Sequence, residues 1–165
     1  NLGQAPLSIW KAYRRGSYPA YHRGLQESLL KIRDIRLGAY GDPAALPCDL
    51  VEYLATIGTG WTGYTHQAFW IAPERAELIV RYCMVSCHNL AQYHEAHRRG
   101  WRAFLAVPEG QTGPSDAARC PYDTHGVTCA TCQLCQGTEK QGRSIWIEAH
   151  GAVGRNLAAV AVADR

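Results

Sequence analysis

Four cysteines stand close together in this sequence: Cys120, Cys129, Cys132 and Cys135, in the spacing C-x8-C-x2-C-x2-C. Two residues between thiols let both turn onto one centre. Four thiolates complete a tetrahedral shell or hold the corners of a cubane. Pro121, Gly126 and Gly137 supply turns and tight backbone around them. The pattern predicts a metal centre holding either a [4Fe-4S] cluster or a zinc ion. The compact C-x2-C-x2-C run leans toward iron–sulfur, because zinc ribbons more often separate two C-x2-C knuckles by a longer loop. His125 lies inside the run and is expected in solvent. The chain has seven cysteines in all, an odd number that cannot pair completely within one chain. With ordinary core residues in abundance, this predicts a reducing, cytoplasmic setting and not a disulfide scaffold. Cys48, Cys83 and Cys87 are expected to be small apolar residues, with Cys87 at a strand end.

A second set of candidates emerges from the elements that must position them. Asp34 to Gly38, Trp61 to His66, Tyr82 to Ser86, Trp101 to Val107 and Ser144 to Ile147 read as strands. Between them, helical spacing covers Leu50, Val51, Leu54 and Ile57. A helix from Pro73 to Val80 opens on proline. Another from Asn89 to Arg99 is capped by Asn89, carries Arg98 and Arg99 in its last turn and stops at Gly100. Helices over Leu7–Tyr13 and Leu25–Arg33 precede them, and Gly151–Asp164 reads as helix or strand. His94 and His97, three apart on a charged helix, are expected at the surface.

Strands alternating with helices predict an α/β fold. Its form is a partial (βα) barrel or open parallel sheet with an inserted four-cysteine metal loop. Residues 1–165 form a single domain, and residues 110–142 are the insertion. Functional groups in such folds collect where strands end. Those ends carry Tyr40, Gly41 and Asp42; Tyr64, Thr65 and His66; Ser86, Cys87, His88 and Asn89; Glu109; and Glu148 and His150. The strand bodies are mostly apolar and their ends polar, which predicts a pocket. Ser86 has no evident His–Asp partner pattern, which argues against a serine hydrolase.

The rest of the composition narrows the class. The 165 residues carry a net charge of +3 and are 47% hydrophobic, enough to bury a core and too weakly basic to argue for nucleic acid by charge alone. No apolar run approaches the roughly 20 residues of a membrane helix. The stretch from Lys11 to Arg23 interleaves Lys11, Arg14, Arg15, His22 and Arg23 with Tyr13, Tyr18 and Tyr21. Such a mixture can contact nucleic acid, although a solvated loop with its tyrosines packed inward is the preferred expectation. The chain opens on Asn1 and its one methionine is Met84, which suggests a processed product or fragment.

Leu37-Gly38-Ala39-Tyr40-Gly41-Asp42-Pro43, followed by Leu46-Pro47 and an amphipathic helix, resembles the second-strand motif of radical S-adenosylmethionine enzymes. There a strand ends in Gly-Gly-Glu-Pro and seats the amino group of the cofactor. Here Tyr40 replaces the first glycine and Asp42 the glutamate. Met84-Val85-Ser86-Cys87-His88 resembles the family's fourth strand, with His88 in place of an aspartate. More narrowly, Asn1 to Gly137 is similar to an uncharacterised cysteine-rich family carried by phages and plasmids. The resemblance implies S-adenosylmethionine as cofactor, held with help from Gly41 and Asp42. The wider cofactor-binding expectation includes Tyr64, His66, Ser86 and His88. The family's C-x3-C-x2-C signature is not in this sequence: Cys83 and Cys87 have the first spacing, but Leu90 stands where the third cysteine belongs. The expectation is that the motif precedes Asn1 or that the barrel serves another purpose. The resemblance makes the Cys120–Cys135 loop an auxiliary cluster or a structural zinc site. The rival expectation is a non-enzymatic, zinc-stabilised protein that binds nucleic acid or a host protein.

Overall fold

In the computed structural model, residues 4–22 and 24–149 are described. Arg23, His150 and the Gly151–Asp164 segment lie outside them. Two helices, α1 (Gln4–Arg14) and α2 (Leu25–Leu30), precede the sheet. Its strands are β1 (Asp34–Leu37), β2 (Gly60–Thr65), β3 (Met84–Cys87), β4 (Ala103–Val107), β5 (Ala118–Arg119) and β6 (Ile145–Glu148). They pair in the order β1-β2-β3-β4-β6-β5, and every pairing is parallel. Parallel neighbours need long crossovers. Helices α3 (Cys48–Ile57), α4 (Pro73–Tyr82) and α5 (Leu90–Arg98) supply the first three. The protein is thus an α/β domain built on an open, six-stranded parallel sheet.

Alternation along the strands divides the sheet into two faces. Val85, Cys87, Ala103, Leu105 and Val107 pack with Ala76 and Val80 of α4 and with Tyr93 and Ala96 of α5. Leu37 packs with Val51 and Ala55 of α3 and Ile79 of α4. The intervening residues look the other way. Register places Arg36 beside Thr62, Tyr64 beside Met84, Ser86 beside Phe104, and Phe104 beside Ile145. On this second face Met84 and Ile145 form a separate cluster with Cys120 and Cys135, flanked by Tyr64, Phe104 and Ile147.

Helix ends follow their sequence signals. The Asn89 side chain accepts from the Gln92 N–H and caps α5, and Pro73 opens α4. Other features were not legible. A 3-10 turn at Pro43–Ala45, the two-residue β5, and the short helices α6 (Pro121–His125) and α7 (Cys129–Cys132) are too brief to carry a periodicity. The expectation that the N-terminal tyrosines pack inward is corrected. Tyr13, Tyr18 and Tyr21 are 63%, 52% and 54% exposed, and the Tyr21 hydroxyl meets that of Tyr53 at 2.6 Å. His97 is also corrected: it is half-buried, with Nε2 2.8 Å from Ser144 Oγ and Nδ1 3.3 Å from Asp116. It ties α5 to the start of β6. His94 is exposed as expected. Among the described residues no helix is long and apolar enough to cross a membrane.

Candidate functional site

The segment between β4 and β6 lies against the second face of the sheet and is fastened there at several points. The Gly63 N–H donates to the Cys135 carbonyl at 2.9 Å, and the Cys120 N–H donates to the Trp146 carbonyl at 2.8 Å. The N–H groups of Thr138 and Glu139 donate to the carbonyls of Val80 and Arg81 at the end of α4. Gly137 makes this approach feasible: a Cβ there would run into the backbone of Val80 and Arg81. Arg102 is the central tie. The residue is 8% exposed, and its guanidinium donates to the carbonyls of Leu134, Gln136, Gly137, Lys140 and Arg143 at 2.6–3.3 Å. A rigid fork of donors suits such an array of carbonyls better than a lysine would.

This anchoring brings all four clustered cysteines to one crevice. Cys120, Cys129, Cys132 and Cys135 line it together with Thr62 and Ile145. Cys120 and Cys135 are buried, Cys132 half-buried and Cys129 exposed. The Tyr64 hydroxyl hydrogen-bonds the Cys135 sulfur. Burial pushes the Cys135 thiol up to about 11; the neighbouring cysteines add to this, and the Tyr64 bond opposes it. Burial likewise raises the Tyr64 hydroxyl above its ordinary range, with Cys135 contributing. Four soft donors around one crevice match the chemistry of zinc or an iron–sulfur cluster. Among the described residues, no group of three or more His, Cys, Asp or Glu side chains stands at metal-holding separation. The sulfurs therefore surround the crevice without converging on one point. His125 is exposed and makes a 2.6 Å hydrogen bond with Thr124. Cys83 and Cys87 are buried, and burial pushes each thiol up to about 12, in keeping with apolar roles.

Beside the crevice the same face opens into a cleft of about 650 Å³, within the range of small-molecule sites. Tyr64, His66, Ser86 and His88, drawn from two successive strands and their ends, all line it. Cys120 and Cys129 also line it, so the cysteine crevice forms one of its walls. The rings of His66 and His88 are stacked, 5.0 Å apart and inclined by 22°. Burial lowers the His66 pKa below its usual value; the adjacent His88 adds to the effect and Asp42 opposes it. Phe104 meets Tyr64 edge to face at 5.1 Å.

Asp42 and Gly41 hold the turn behind this pocket. Asp42 Oδ1 accepts from the Ala44 N–H at 2.9 Å and the Thr65 hydroxyl at 2.7 Å, while Oδ2 accepts from the His66 N–H at 2.7 Å. Its carboxylate thereby ties the end of β1 to the end of β2 and sets the start of the His66 loop. Gly41 has φ +115°, a conformation glycine adopts without strain. Arg36, Phe104, Tyr122 and the anchoring Arg102 were missed by strand-end reasoning. Arg36 and Phe104 project from strand bodies, and only the phase of each strand against its neighbours reveals which face they share. Tyr122 and Arg102 belong to contacts across about 30 residues or more, which no local pattern signals.

No protein-family model, curated protein or solved structure matches the chain. The class that stands is an open parallel α/β domain with a cleft over one sheet face and a cysteine-lined crevice in its wall.

Proposed function

We propose that this is a metal-thiolate protein of the radical S-adenosylmethionine type, acting on a small molecule held in the cleft. Cys120, Cys129, Cys132 and Cys135 would hold an auxiliary [4Fe-4S] cluster. The observation that carries the reading is that one cleft combines the predicted strand-end residues Tyr64, His66, Ser86 and His88 with a wall of the clustered cysteines. A bound cluster supplies one-electron transfer or an iron site of Lewis-acid character at that wall. The chain does the rest. Arg102 fixes the loop that presents Cys135, and the Tyr64 hydroxyl favours the Cys135 thiolate by donating to it. S-adenosylmethionine, implied by the resemblance, would sit toward the Gly41–Asp42 turn, with Asp42 acting as a positioning residue through Thr65 and His66. The inward face of a partly closed (βα) barrel would account for a cleft on the side away from the helices. Cleavage of the cofactor is not assigned to these four cysteines.

The test is oxygen-free purification of the whole chain with iron, sulfide and zinc counted, beside Cys132→Ser. Iron with sulfide in the parent, lost in the variant along with thermal stability, is expected because metal binding contributes folding free energy. Zinc without sulfide refutes the cluster. No metal, with an unchanged melting temperature in the variant, refutes the site altogether. A second reading, a zinc-stabilised protein that binds nucleic acid, is favoured by one observation. On the exposed face of α1, Trp10 and Tyr13 stack at 5.7 Å and the Arg14 guanidinium lies 5.7 Å over the Trp10 ring. Salt-dependent binding of single-stranded DNA or RNA, weakened by joint Arg14→Ala and Arg15→Ala substitution, supports it; salt-insensitive or absent binding refutes it.

A further inference from the structure

The cleft has a charge and ring pattern that the cysteine wall does not explain. Its lining holds the Arg36 guanidinium and the imidazoles of His66 and His88, and among its described lining residues there is no aspartate or glutamate. Arg36 is exposed on the cleft face, and among the described residues it meets no carboxylate. Its recorded neighbour is the Tyr64 ring, 5.7 Å below the guanidinium. Four other surface arginines are paired, Arg81 with Glu139, Arg98 and Arg99 with Glu95, and Arg119 with Asp123 and Glu148, whereas Arg14, Arg15 and Arg33 are exposed like Arg36 but do not line the cleft. Asp34, two residues along β1, lines an adjoining cavity with Arg36 but accepts there from Thr59 and Gln133, which leaves the guanidinium on the cleft side open to an anion whose oxygens its fork matches two at a time. The stacked imidazoles of His66 and His88 add ring N–H groups able to donate to the same anion.

The aromatic side chains define the remainder of the ligand. Tyr64 and Phe104 form an edge-to-face pair on the cleft floor, and Tyr122 lines the cleft while remaining 61% exposed. An exposed tyrosine at the lip of a cleft offers a flat face to a planar heterocycle. We propose that the cleft binds a nucleoside monophosphate, with its phosphate on Arg36 beside the His66–His88 pair and its base against Tyr122. This rests on the cleft being the functional site and is independent of which metal, if any, the cysteine crevice holds.

The test is titration calorimetry on the whole chain with the four common nucleoside monophosphates, adenosine and inorganic phosphate as probes. At least one monophosphate is expected to bind, with adenosine and phosphate each at least tenfold weaker. Arg36→Gln should weaken that binding tenfold or more, and Tyr122→Ala several-fold. Arg33→Gln, an exposed position outside the cleft lining, should leave it unchanged. Circular dichroism and metal content are read on the same samples. No monophosphate bound, phosphate or adenosine binding as tightly as the monophosphate, or Arg36→Gln binding normally would each overturn the proposal. Binding of a single-stranded oligonucleotide without binding of any monophosphate also overturns it. Nucleotide binding by metal-free protein upholds it, and the cysteine centre is judged separately by the iron, sulfide and zinc counts.

Discussion

Replacing Arg102 by methionine tests how the cysteine segment is held. The guanidinium makes six contacts to five carbonyls. Those to Gln136 and Gly137 are fully buried, whereas Leu134, Lys140 and Arg143 retain some access to water. Methionine keeps the length and removes every donor. Each buried acceptor left unmet costs about 1–3 kcal/mol, so the two together cost about 2–6 kcal/mol. Not having to bury a charge returns part of this, leaving a net loss of about 3 kcal/mol. Against a domain stability of roughly 5–15 kcal/mol, that is a large fraction. It corresponds to a fall in melting temperature of about 6–12 °C for a chain of this size. Arg102→Lys, with three donors on one nitrogen, should lose about half as much. The assay is urea unfolding followed by circular dichroism. Thiol titration of the native protein runs beside it, because the segment that buries Cys135 should loosen and the thiol of this 7% exposed residue should become reactive. A methionine variant within about 1 kcal/mol of the parent, with Cys135 still protected, would refute the idea that Arg102 anchors the segment.

Gly137→Ala places a methyl group in the backbone of Val80 and Arg81 and should cost about 2–3 kcal/mol in thermal unfolding; Gly126→Ala, with φ +67° and open space around it, should cost only about 1 kcal/mol. Asp42→Ala removes the acceptor for Ala44, Thr65 and His66 and should destabilise by about 2 kcal/mol in urea unfolding. Asp42→Asn keeps an oxygen for Ala44 and Thr65 and should lose roughly half of that, so an Asn variant as stable as the parent would refute the role of Oδ2. Because burial lowers the His66 pKa from 6.5, the unfolded chain binds the extra proton first as the pH falls. Stability should therefore decline below about pH 6.5 until the folded-state pKa is passed. The urea midpoint should drop less between pH 7 and pH 5.5 in His66→Gln than in the parent, and an equal drop would count against this reading.

The order of the longer strands and helices, α1 and α2 included, was legible because each signal is local. Proline opens α4, Asn89 caps α5, and β1 to β4 and β6 are stretches of four to six residues in which β-branched, aromatic and other apolar side chains run together or alternate with polar ones. The strand-end residues Tyr64, His66, Ser86 and His88 were legible as a group for the same reason: a parallel sheet puts consecutive strand ends at one edge. Asp42 was legible as a turn residue, but its two bonds to the end of β2 were not, since they join residues 23 and 24 positions apart.

The sequence by itself determined the α/β alternation, the start of α4, the cap of α5 and the cysteine spacing, because periodicity, capping and turn chemistry act over a few residues. Only the tertiary structure decided that Arg36, Tyr64 and Phe104 share one face, that His97 is tied to Ser144 and Asp116, and that the N-terminal tyrosines stay exposed. It also decided that Cys120 and Cys129 line both the cysteine crevice and the cleft containing the strand-end residues. Strand register and the carbonyl contacts of Arg102 set those relations. Both depend on packing between segments distant in the chain, where one step of register moves every side chain to the opposite face.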